Sequence, residues 1–62
     1  MKERTMYVEI SDGFRSQTKK VRKGLTTEEA IALVEEMFMA DENGYSYYLL
    51  DEDKNEIIAY EQ

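Results

Sequence analysis

Thr26-Thr27-Glu28-Glu29-Ala30-Ile31-Ala32-Leu33-Val34-Glu35-Glu36-Met37-Phe38-Met39-Ala40 is the stretch on which the fold turns. Ala30, Ile31, Leu33, Val34, Met37 and Phe38 recur at helical period and form one apolar stripe. Thr26 and Glu29 have the spacing of a capping box, in which each side chain satisfies a free backbone N–H of the other. Glu28 and Glu29 suit the positive end of the helix dipole. The pattern predicts a helix over about 27–40, with Gly44 as its terminator and Asn43 as the second choice.

On the N-terminal side the period falls to two. Met6, Val8 and Ile10 alternate with Thr5, Tyr7 and Glu9, which predicts a strand over about 4–11. Ser11-Asp12-Gly13 reads as the turn, with Gly13 taking positive φ. A three-residue loop there sets Ile10 opposite Phe14 and Glu9 opposite Arg15. The second strand, about 14–22, has Phe14 and Val21 as its only large hydrophobes. Its Lys19 and Lys20 are what an exposed sheet edge carries. On the C-terminal side, 45–50 and 56–60 read as a second hairpin around the polar loop 51–55, its register open between Ile57 and Ile58.

The expected fold is therefore a single α+β domain over 1–62. It is a small ββαββ unit, an antiparallel sheet of two hairpins with one helix packed on one face. Sheet order does not follow from the pattern.

The chain has 62 residues, no Cys and no His. Disulfides, thiolate metal sites, a Cys nucleophile and the commonest general base are thereby excluded. No apolar run approaches the ~20 residues that cross a bilayer. The N-terminal charges are followed by no apolar segment, so no signal peptide and no membrane partner are expected, and the default address is cytoplasmic. A chain this short buries only roughly 60% of its unfolded surface, so a partner subunit is a natural source of extra stability.

Charge is unevenly spread within a net −6. Residues 1–24 carry seven bases against three acids, net +4; residues 25–62 carry Lys54 against eleven acids, net −10. Mutual attraction of the two halves is the ordinary reading; one basic and one acidic working surface is the sharper one. Arg15, Lys19, Lys20, Arg22 and Lys23 are the candidate phosphate-binding residues. Few aromatics stand among them and the net charge opposes a polyanion, so nucleic acid is the secondary expectation. The acidic half has the size and charge of small inhibitors from phages and mobile elements that imitate DNA, an analogy of class and not of motif.

Asp51, Asp53 and Asn55 repeat the opening of a calcium loop, but Glu56 stands where Gly is needed and Gln62 where a bidentate Glu is needed. A solvated turn is expected, with no metal and no cofactor. The glutamates of the helix read as a solvated face, and no nucleophile motif or phosphate-binding glycine loop is present. No enzyme is expected.

Tyrosine is the informative excess. Of five, Tyr45, Tyr47, Tyr48 and Tyr60 fall in the C-terminal hairpin. Both faces of that hairpin are apolar or aromatic, and one helix covers one face. The chain is therefore read as a non-catalytic protein-interaction module, a small acidic accessory or regulatory protein whose partner is a protein, such as a second copy of itself. Tyr45, Tyr47, Leu49 and Tyr60 are its expected interface. Met39, opposite the centre of the core stripe, joins them as an adaptable contact.

Overall fold

In a computed structural model, residues 5–21 and 24–61 are described. The elements run β1 (Tyr7–Ser11), β2 (Ser16–Lys20), α1 (Thr27–Ala40), β3 (Ser46–Leu50) and β4 (Glu56–Tyr60). All neighbours pair antiparallel, in the order β2-β1-β3-β4, and α1 lies on one face. The ββαββ architecture is as the periodicity predicts.

The capping box forms at the expected place. Thr26 Oγ1 accepts from the Glu29 N–H at 3.1 Å and Glu29 Oε1 accepts from the Thr26 N–H at 3.0 Å. The other end differs from expectation. Asp41 caps the helix, its N–H donating to the Phe38 carbonyl at 3.2 Å. Gly44, with φ 78°, lies beyond the cap and serves the connection to β3. The Asp41 carboxylate is held beside that cap by four N–H and O–H donors of the next six residues.

Strand β1 aligns Tyr7 with Lys20, Glu9 with Thr18 and Ile10 with Gln17. The expected pairs Ile10–Phe14 and Glu9–Arg15 are therefore corrected. The turn is Gly13-Phe14, closed by the Asp12 N–H bond to the Arg15 carbonyl at 3.1 Å. Asp12 Oδ1 draws the chain tighter by accepting from the N–H groups of Phe14 (2.8 Å) and Arg15 (2.7 Å), an Asx-turn that the bare Asp-Gly signal does not reveal. Strand β2 is consequently shorter than 14–22, and Phe14 is left 97% exposed at the tip.

Side chains alternate across the sheet. Val8, Tyr47 and Leu49 face the helix and are buried with Met6, Val21, Ala30 and Val34, while Ile10, Ile58 and Tyr60 pack around that cluster. Phe38 reaches down from α1 to stack on Tyr60 (ring centroids 5.5 Å apart) and to meet Tyr47 edge-on at 6.2 Å. Tyr7, Glu9, Tyr48, Leu50 and Ala59 take the opposite face.

Candidate interaction edges

The expected aromatic interface is largely the core. Tyr47 is 7% exposed and Leu49 is fully buried, Tyr60 is half-covered by Phe38, and Tyr45 is half-buried against the same cluster. The reason is the side the helix chose: α1 covers the Tyr47–Leu49–Tyr60 face, so these residues are spent inside one molecule. Met39 alone of that set stands free, 77% exposed.

The other face is not left bare either. Leu50 is buried although it points away from the helix. It stands directly opposite Tyr7, and the β3–β4 loop returns toward the same spot, placing Lys54 Nζ 5.3 Å from the Tyr7 ring centroid. That loop is held by Asp51, whose Oδ1 accepts from the N–H groups of Asp53 (2.9 Å) and Asn55 (2.8 Å), with Lys54 at φ 64°. The carboxylate that opened the calcium-like pattern is thus a loop cap. Among the described residues no group of three potential metal ligands converges.

Among the described residues, what remains open is the rim of the sheet. Backbone direction follows from three hydrogen bonds. The Val21 N–H donates to the Met6 carbonyl at 2.9 Å and the Asp12 N–H to the Arg15 carbonyl, so even-numbered residues of β1 bond to β2. By alternation Gln17 and Lys19 bond inward, and the N–H and C=O groups of Ser16, Thr18 and Lys20 point off the edge. The Asp51 N–H donates to the Asn55 carbonyl at 2.9 Å, so Leu49 and Tyr47 bond toward β4, and Ala59 points outward from it.

The two rims differ in chemistry. All five residues of β2 are exposed and two are lysines, Lys19 on the helix side and Lys20 on the open side. Arg15 adjoins them, while Arg22 and Lys23 lie outside the described residues. The β4 rim has no charge between Glu56 and Glu61. It carries Ile57, 38% exposed, as the extra residue of a bulge where Leu49 pairs with Ile58 and Leu50 with Glu56. The lysines mark the β2 edge in the sequence, but nothing there marks the β4 edge, because strand order is not written in the periodicity.

A shallow cleft of about 250 Å³ lies beside the β1–β2 hairpin, lined by Ile10, Asp12, Arg15, Ser16, Gln17 and Tyr45. The shifted carboxyls serve structure: bonds from the Arg15 and Phe14 N–H groups hold Asp12 below its ordinary value. Among the described residues no helix is long and apolar enough to cross a membrane. No known family model matches the chain, and no curated protein and no solved structure matches it.

Proposed function

We propose that the chain is a non-catalytic protein-interaction module that associates with a second copy of itself through the outer edge of its C-terminal hairpin. The observation that carries this reading is the β4 rim: an edge strand with Ile57, Ile58 and Ala59 in sequence, no Lys or Pro among them, and a bulge only at its start, at Ile57. A two-fold pairing centred on Ala59 sets Ile58 opposite Tyr60 of the second copy and extends the sheet across both molecules. The half-buried Tyr60 and Phe38 of each copy then meet at the seam. The aromatic hairpin keeps its part in self-association, by its margin in place of its face.

Ala59→Pro tests this. It removes a donor that points to solvent and leaves the ladder to β3 intact, a strand setting in which proline is tolerated. Light scattering is expected to give a dimer for the parent chain, still present in 0.5 M salt because apolar burial is little screened. The variant is expected to be a folded monomer. A parent chain that stays monomeric at millimolar concentration refutes the reading.

A second reading, modulation of nucleic-acid metabolism through the basic strand, gains from the position of Phe14. Exposed beside Arg15, it offers the base-stacking ring that such sites use. A shift of single-stranded DNA that disappears in Lys19→Glu/Lys20→Glu would support it. The absence of any shift at low salt would remove it.

A further inference from the structure

We propose that the free margin of β2 is a docking edge for an extended acidic segment of a partner protein, distinct from the self-pairing rim at β4. The edge has the two things strand addition requires. Ser16, Thr18 and Lys20 offer an alternating ladder of N–H donors and C=O acceptors, and among the described residues no other strand lies outside them. The ladder selects a peptide backbone over a nucleic acid, since phosphates accept hydrogen bonds and would leave the three carbonyls unpaired.

Charge sets the kind of peptide. Lys19 opposes Val8 on the helix side and Lys20 opposes Tyr7 on the open side, so the two ammonium groups flank the edge above and below. Two successive carboxylates on an incoming strand, which also point to opposite faces, meet one lysine each. Edge lysines repel stray neutral and basic strands; the same device admits an acidic one. Two positions along from Lys19, on the helix side, stands Gln17, at the cleft floored by Ile10 and Tyr45. An apolar side chain of the added strand beside Gln17 leans over that floor. The site therefore reads an acidic pair followed, two residues past its second member, by an aliphatic residue.

A fluorescein-labelled peptide, Thr-Glu-Glu-Thr-Ile-Thr, is the probe, with a lysine-for-glutamate peptide as control. Fluorescence polarisation at low salt is expected to show the acidic peptide binding at least tenfold more tightly than the control. Amide hydrogen exchange is expected to slow at Ser16, Thr18 and Lys20 in the complex. Thr18→Pro, which removes one outward donor, is expected to weaken binding at least fivefold. Lys19→Glu/Lys20→Glu is expected to reverse the preference between the two peptides, and it tests the charge argument without a proline in the strand. Ala59→Pro is expected to bind the peptide as the parent chain does, which separates this edge from the self-pairing one. Equal affinity for both peptides, or acidic binding with no slowing of the three amides, overturns the proposal. So does a self-association that Thr18→Pro abolishes, because the occupant would then be a second copy of this chain.

Discussion

Asp41 does at one position what the sequence pattern assigned to Gly44. Its Oδ2 accepts from the Tyr45 N–H at 2.8 Å and its Oδ1 from the Tyr47 hydroxyl at 3.0 Å, so the residue whose backbone N–H closes the helix also pins it to the start of β3. Burial works against its charge, but the bonds from Tyr45, Tyr47, Asn43 and Gly44 outweigh that and hold the carboxyl below 3.8. A carboxyl depressed in the folded state adds stability that is fully present above 3.8 and is lost as pH falls through the folded value. Tyr47 has the mirror behaviour. Burial first, and then its bond to Asp41, raise its hydroxyl above 10.0, so its contribution persists below pH 10 and falls as pH rises past it. Urea midpoints of the parent chain are expected to decline on both sides, below about pH 4 and above about pH 10. Asp41→Asn should flatten the acid limb, and an acid limb unchanged by that substitution would refute the latch. None of this was legible beforehand, because Asp41 lies in a polar run, Asp41-Glu42-Asn43, whose members look alike until the loop is folded.

At the scale of elements the helix was the most legible part, since its period, its box and its first-turn glutamates all agree on one start. Thr26→Ala removes one half of the box and strands the Glu29 N–H, at a cost of about 1 kcal/mol. Chemical denaturation should register that loss, and Thr26→Ser should restore most of it. The β1–β2 turn was less legible. Asp-Gly suggests where the chain reverses, but the bonds that the Asp12 carboxylate accepts from Phe14 and Arg15 set the reversal at Gly13-Phe14, and with it every cross-strand pair in the hairpin. Phe14, a strand residue by pattern, thereby stands at the tip. Its ring touches so little that Phe14→Ser should leave the denaturation midpoint within about 0.5 kcal/mol of the parent. A larger drop would mean that the tip packs against something in solution.

For the whole molecule, two apolar faces on the C-terminal hairpin are legible in the sequence, but which of them the helix covers is not. Tyr45, Tyr47, Leu49 and Tyr60 were surplus only if the helix took the other side, and Leu50 was surplus only if the open face left it exposed. Neither choice is encoded in a period of two. What the count did carry is the small size of the core, a cluster of Met6, Val8, Val21, Ala30, Val34, Tyr47 and Leu49 in a body with extents of 37 × 20 × 15 Å. A core of that size leaves little margin, so any association that favours the folded state must appear in the apparent stability through mass action. If β4 pairs with its copy, each kcal/mol gained on concentrating the protein moves the thermal midpoint of a domain this small by about 4–8 °C. Raising the protein from about 10 µM to about 1 mM is then expected to lift the midpoint by at least about 5 °C in the parent chain. Ala59→Pro, unable to donate across the seam, should show the same midpoint at both concentrations. A parent midpoint indifferent to concentration would leave the β4 rim as an edge protected by its bulge at Ile57, and the self-pairing reading would fall.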